Sequence, residues 1–69
     1  MDQTESAAEV AVAKLGEPVY VLAAEVRIRP SDFGRIIQGR QVPTRDQARR
    51  IAARLGVTPE VLFGPREAP

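Results

Sequence analysis

Apolar and charged positions alternate most regularly between residues 45 and 55. The apolar positions recur there every three or four residues, as they do on one face of an α-helix. They are Ala48, Ile51, Ala52 and Leu55. Thr44 and Gln47 have the spacing of a capping box, and Gly56 suits the left-handed residue that ends a helix. The pattern predicts a helix over residues 45–55.

Four shorter helices are predicted from the same kinds of signal. Ser6 and Glu9 form a second capping box, and Gly16 is suited to end the helix that follows. Pro30 and Pro59 stand where a first helical turn begins, because a proline has no N–H to lose there. The predicted ranges are residues 7–15, 18–26, 30–38 and 59–63. No segment predicts a strand, so we expect an all-α fold with short connections.

The predicted core takes residues from every helix. It comprises Ala8, Ala11 or Val12, Leu15, Leu22, Ala23, Val26, Phe33, Ile36, Ile37, Ala48, Ile51, Ala52, Leu55, Leu62 and Phe63. The second helix also carries Val19, Tyr20 and Val21, so it lacks the polar face that a surface helix usually shows. Either the acidic first helix covers this additional apolar surface or a partner does.

Length and composition limit the fold and the chemistry. The 69 residues allow one small domain, which we expect at residues 6–64 between a flexible N-terminus at residues 1–5 and a tail at residues 65–69. The chain has no cysteine and no histidine. This excludes disulfides, thiolate and imidazole metal sites, and Cys–His or Ser–His catalysis. We therefore expect neither an enzyme nor a bound cofactor.

The sequence carries no membrane signal. No apolar run reaches the roughly 18–20 residues that cross a bilayer, and no charged-then-apolar leader opens the chain. We therefore expect a soluble cytoplasmic protein.

Charge is distributed unevenly along the chain, although the formal net charge is only +1. Residues 1–26 hold five carboxylates and one lysine, whereas residues 27–54 hold eight arginines and two aspartates, a net charge of +6. A polyanion responds to this basic segment rather than to the average. The middle of the chain is therefore the candidate for nucleic-acid binding.

Residues 18–38 predict two short helices joined by a tight turn. Their apolar faces are Leu22, Ala23 and Val26 in the first helix and Phe33, Ile36 and Ile37 in the second. Ala23 is small enough to let the second helix approach closely. Two short helices that cross in this way form a helix-turn-helix unit, which typically places its second helix in a DNA major groove.

Further residues at fixed spacings support this interpretation. They are Leu22 and Ala23, Gly39, Pro43, Ala52, Leu55, Gly56 and Val57, and Leu62 and Phe63. In these positions the chain resembles the lambda-repressor/Cro type of helix-turn-helix DNA-binding domain over residues 6–64. The resemblance implies a compact five-helix all-α domain with the helix-turn-helix at about residues 18–38.

The resemblance also implies which side chains meet DNA. Ser31, Asp32 and Arg35 occupy positions that commonly reach base edges, and Gln41 is also within reach of a base. We expect phosphate contacts from residues that flank this recognition helix. They are Arg29, Gln38, Arg40, Thr44 and Arg45. Arg35 has the geometry to bind O6 and N7 of a guanine; alternatively, it pairs with Asp32 on a solvated helix surface.

Three positions depart from the family pattern. Pro30 stands where many members have a base-reading glutamine, and Val19 stands where many have a glutamine that binds phosphate. Arg27 occupies the turn position that usually holds glycine, so a non-glycine residue is expected there with a positive φ.

Two functions fit these observations. The first is a sequence-specific double-stranded DNA-binding transcriptional regulator, a Cro-like repressor of the phage or prophage kind that acts as a homodimer. The candidate dimer residues are Tyr20, Val21 and Val61. The second is a protein-binding adaptor or antitoxin-type partner with the same fold, which the apolar second helix, Val19 and Pro30 favour.

Overall fold

A computed structural model describes residues 6–64, which form five α-helices and contain no strand. The helices are α1 (Ala7–Leu15), α2 (Val19–Glu25), α3 (Pro30–Ile37), α4 (Arg45–Leu55) and α5 (Pro59–Phe63). None of the five has both the length and the apolar character needed to cross a bilayer. The Cα radius of gyration is 11.2 Å, close to the value of about 11 Å expected for a compact domain of this length.

The helix predictions are largely confirmed. The all-α class is correct for the described residues, and the predicted ranges of α1, α4 and α5 match to the residue. The predicted α2 is one residue too long at each end, because Pro18 and Val26 are its N-cap and C-cap. The predicted α3 includes its C-cap, Gln38. The predictions for residues 1–5 and 65–69 lie outside the described residues.

Both predicted capping boxes are present. The Ser6 hydroxyl accepts a hydrogen bond from the N–H of Glu9 at 3.1 Å, and the Glu9 carboxylate accepts one from the N–H of Ser6 at 3.3 Å. Thr44 and Gln47 repeat this arrangement at the start of α4, at 3.0 and 2.9 Å. Thr58 occupies the N-cap position of α5 but makes no capping hydrogen bond with its side chain. The two predicted capping boxes therefore form with the predicted side chains.

Apolar side chains from all five helices form one core. Its largest fully buried members are Phe33, Leu22, Ile36 and Ile51. In α1 the inward positions are Ala8 and Val12, whereas Ala11 is only partly buried. Leu15 was expected in the core but is 38% exposed, because it is the last residue of α1 and lies at the edge of the packed surface. This part of the core prediction is wrong.

The residues that join α2 to α3 make a tight and well-bonded turn. The N–H of Ile28 bonds to the carbonyl of Ala23 at 2.9 Å, and that of Arg27 bonds to the carbonyl of Ala24 at 3.1 Å. These two bonds define a Schellman motif. Arg27 has φ of 61°, which confirms the predicted left-handed residue at a position without glycine. The motif directs Ile28 into the core, where it is buried although the sequence pattern did not predict it.

The most extensive helix contacts join α2 to α3, α4 to α5 and α1 to α5, and α1 also packs against α4. Among the described residues, α1 makes no contact of this extent with α2. Val19 and Tyr20 on α2 consequently remain 38% and 67% exposed. Of the two alternatives for the extra apolar surface of α2, coverage by α1 is therefore not observed at these two residues.

One side chain links the start of α1 to the end of α3. The Ser6 hydroxyl, besides capping α1, donates a hydrogen bond to the carbonyl of Ile37. Carbonyls in the last turn of a helix lack intrahelical partners. Ser6 therefore satisfies one of them and fixes the C-terminal end of α3 against the first helix.

Candidate nucleic-acid interface

The outer face of α3 is polar and open to solvent. Ser31 and Arg35 are exposed and Asp32 is half-buried. The opposite face packs into the core through Phe33, Ile36 and Ile37. The predicted base-reading residues therefore share an accessible surface.

A hydrogen-bonded set of three side chains dominates this face; we call Asp32, Arg35 and Gln41 the Arg35 cluster. Nη2 of Arg35 donates to Oδ1 of Asp32 at 2.9 Å, so the pair predicted from their spacing of three residues is present. Nε of Arg35 donates to Oε1 of Gln41 at 3.1 Å. The Gln41 contact was not anticipated from the sequence.

The end of α3 explains how Gln41 reaches Arg35. Gly39 has φ of 81°, and its N–H bonds to the carbonyl of Ile36 at 3.1 Å. The N–H groups of Arg40 and Gln41 then bond to the carbonyl of Arg35, at 2.9 and 3.3 Å. The chain thus folds back over the last turn of α3. A left-handed residue permits this reversal, and glycine adopts that conformation at little cost.

Three arginines flank α3 and the Arg35 cluster along the chain. Arg29 is the N-cap residue of α3, Arg40 follows its C-terminus, and Arg45 begins α4; all three are exposed. Within residues 6–64 none of the three forms an ion pair. The positions predicted as phosphate ligands at the two ends of α3 and at the start of α4 therefore carry exposed cations.

The other two predicted phosphate ligands are polar and also accessible. Gln38 and Thr44 are both exposed. The Oγ1 atom of Thr44 accepts a hydrogen bond from the N–H of Gln47, so its hydroxyl hydrogen remains available as a donor. Neither residue is packed inside the domain.

A second hydrogen-bonded set involves the last arginine of the basic segment; we call Glu17, Glu25 and Arg54 the Arg54 cluster. Nε of Arg54 donates to Oε1 of Glu25 at 2.5 Å, and Nη2 donates to Oε1 of Glu17 at 2.7 Å. The hydrogen bond with Glu25, followed by that with Glu17, raises the pKa of Arg54. The cluster connects α4 to α2 and to the loop before it.

The departures from the family pattern all lie at accessible positions. Pro30 is exposed as the first residue of α3, and Val19 is exposed at the start of α2. Arg27 is exposed in the turn between these helices. The apolar Pro30 therefore adjoins the polar face of α3.

Gly34 lies on the outer side of α3, three residues after Ser31. No atom of the described residues other than its own helix backbone and chain neighbours lies within 4 Å of the position that a Cβ would occupy. Close packing of another helix therefore does not explain a glycine here. The open space makes the α3 backbone accessible to an external partner.

The candidate dimer residues differ in accessibility. Tyr20 and Val61 are 67% and 58% exposed, whereas Val21 is half-buried. Tyr20 and Val61 lie on α2 and α5, which pack against different neighbours. Both are large apolar groups that a partner would shield from water.

No protein-family model, curated protein sequence or solved structure matches the chain.

Proposed function

We propose that this protein is a sequence-specific double-stranded DNA-binding transcriptional regulator that reads the major groove with α3. The observation that carries the proposal is the outer face of α3. Its polar side chains, Ser31, Asp32 and Arg35, are accessible, and exposed arginines stand at both ends of the helix. Base-edge readers flanked by phosphate-binding cations are the arrangement that sequence-specific recognition requires.

The backbone geometry supports the same function. The tight turn at Arg27 joins α2 to α3, while the bond from Ser6 to Ile37 holds the far end of α3. On the inner face of α3, Phe33 and Ile36 pack into the core. A recognition helix held at both ends presents its side chains in a fixed orientation, which reduces the entropy lost on binding. In this proposal the domain is of the lambda-repressor type, with α2 and α3 as its helix-turn-helix.

A homodimer completes the proposed binding unit. At 1.5 Å per residue the eight residues of α3 span only about 12 Å, so one helix reads a few base pairs. Two copies related by a twofold axis would read half-sites about 34 Å apart. Tyr20 and Val61 are the exposed apolar residues available for the dimer contact. A Cro-like repressor acting in the cytoplasm is the regulator that this proposal describes.

The test is binding to a pool of genomic fragments, followed by a salt series on the best fragment. We expect selection of a preferred, symmetric site and a linear fall of log K with log salt, because each neutralised phosphate contributes a slope of about −0.9. Sedimentation of the complex should give two protein chains per site. Binding without a preferred site, or binding that salt does not weaken, would contradict the proposal.

The exposure of Tyr20 favours a second candidate function, a protein-binding adaptor or antitoxin-type partner. A two-thirds exposed aromatic ring next to Val19 is suited to anchor another protein. Affinity purification with nuclease treatment distinguishes the two functions. A stoichiometric complex that survives the nuclease and is lost with Tyr20→Ser supports the adaptor function, and DNA-dependent recovery alone contradicts it.

A further inference from the structure

The guanidinium of Arg35 is held along one side only. Its Nε hydrogen is bonded to Gln41 and one Nη2 hydrogen is bonded to Asp32. A guanidinium carries five N–H donors. Both Nη1 hydrogens and the second Nη2 hydrogen therefore remain without a partner among residues 6–64. One Nη1 hydrogen and the second Nη2 hydrogen form the terminal edge of the side chain.

The two acceptors that hold Arg35 are themselves fixed near it. Asp32 belongs to the first turn of α3, and Gln41 is half-buried where the chain folds back at the carbonyl of Arg35. Both contacts are therefore local and do not depend on a distant part of the fold. An arginine held in this way has already lost much of the rotamer freedom that binding would otherwise remove.

We infer that Asp32 and Gln41 are positioning residues that orient Arg35 to read a guanine. The inference rests on the proposed function and reassigns these two side chains, which the sequence suggested as base readers. Two parallel donors on the terminal edge match O6 and N7 of guanine, the base that presents two adjacent acceptors in the major groove. Adenine presents an acceptor beside a donor, so it is rejected by the same edge.

The charge of Asp32 supports base reading over phosphate binding. Its carboxylate lies 2.9 Å from Arg35 and repels phosphate oxygens. Arg29 and Arg40 have no carboxylate partner within the described residues. Phosphates are therefore directed to the flanking arginines, and Arg35 is directed to a base edge.

The experiment is selection of bound duplexes from a random library, with the parent protein and single variants. We expect one guanine position per half-site, where Arg35→Ala lowers the preference over other bases by roughly 5- to 150-fold. Asp32→Ala and Gln41→Ala should each lower this preference several-fold without abolishing DNA binding. Gln41→Glu retains an acceptor for Nε, so it should keep the preference. Arg49→Ala, which removes an exposed arginine outside the Arg35 cluster, is the matched control.

The outcomes separate this inference from the proposed function. Site-specific DNA binding in which Arg35→Ala changes no base preference overturns the guanine assignment alone. A parent-like guanine preference in Asp32→Ala and Gln41→Ala overturns the positioning role. Absence of salt-dependent DNA binding by the folded parent protein contradicts the proposed function, and this inference with it. Thermal unfolding of each variant shows that the domain remains folded.

Discussion

The Arg35 and Arg54 clusters hold their arginines through the same guanidinium atoms but differ in what those contacts connect. Each guanidinium donates through Nε to one side chain and through Nη2 to another. Arg54 binds two carboxylates, Glu17 and Glu25, which lie 37 and 29 residues away along the chain. Arg35 binds one carboxylate and one amide, both within six residues. The first arrangement connects distant elements, whereas the second orients one side chain at the surface.

Under the proposed function, this contrast predicts which positive charges meet the polyanion. Arg54 is more than neutralised by its two carboxylates, and Arg50 pairs with Asp46 at 3.1 Å. The net charge of the basic segment therefore overstates its attraction for phosphate at α4. The cations without a carboxylate partner in residues 6–64 include Arg29 and Arg40, on either side of α3. A charge count over residues 27–54 misses the neutralisation of Arg54, because its partners, Glu17 and Glu25, lie outside that segment.

The largest expected effect distinguishes arginines that lack a carboxylate partner in residues 6–64 from arginines that have one. Replacing Arg29 and Arg40 together by alanine should make the plot of log K against log salt less steep, with the magnitude of its slope reduced by roughly two, because each substitution removes about one phosphate contact. Fluorescence anisotropy of a labelled duplex over a salt series measures the slope.

Arg54→Ala is the matched control, since it also removes an arginine from the basic segment but one that already has two carboxylate partners. Its slope should stay close to that of the parent protein. A fall as large as that of the double variant would show that ion pairing within the domain does not determine which cations meet DNA.

The helices could be predicted because their signals are local. The capping pairs Ser6–Glu9 and Thr44–Gln47 lie three residues apart, and apolar spacing reveals an inward face within a single turn. The prediction that Leu15 is buried was wrong and the burial of Ile28 was not predicted; both failures have a different origin. Leu15 fits its helix pattern but lies where the packed surface ends, and Ile28 has no helix pattern because the Schellman turn directs it inward.

The candidate site shows the same limit. The bond between Asp32 and Arg35 follows from helical spacing and could be anticipated. The contact with Gln41 depends on how the chain reverses after Gly39, which sequence spacing does not specify. The Arg54 cluster depends on how the fold brings the end of α4 to Glu17 and Glu25, so pattern reasoning could name its arginine but not its partners.

A smaller effect is expected from Gly34→Ala, which probes the backbone beside Arg35. A Cβ here meets open space, so removing a helix-interior glycine should stabilise the domain by about 1 kcal/mol. The melting temperature should rise by roughly 4–8 °C. If DNA approaches this face of α3, the same methyl group should weaken specific binding.

The control for Gly34→Ala is the reverse change on α4, Ala53→Gly, at an exposed helical position. It should lower stability by about 1 kcal/mol and leave the DNA affinity of the folded protein unchanged. Unchanged affinity in Gly34→Ala would contradict close approach of DNA to the α3 backbone.

The smallest expected effect compares the two arginines directly in unfolding experiments without DNA. Arg54→Ala should lower the urea midpoint, because it leaves Glu17 and Glu25 facing each other's charge without the cation between them. The change should be smaller than that of Ala53→Gly, since all three side chains are partly exposed. Arg35→Ala should leave the midpoint almost unchanged, because its contacts are local.

Salt and pH sharpen this last comparison. In about 1 M salt, where the Debye length is about 3 Å, the fall in urea midpoint caused by Arg54→Ala should become smaller. Folding raises the pKa of Arg54. The stabilisation that its ion pairs provide is therefore complete below the pKa that Arg54 has in the unfolded chain, and it is lost only as the pH rises through the higher folded value. The difference in urea midpoint between Arg54→Ala and the parent protein should therefore not change near neutral pH through titration of Arg54. A larger deficit for Arg35→Ala than for Arg54→Ala would mean that the Arg35 cluster supports the fold, which would remove the reason for assigning it to recognition.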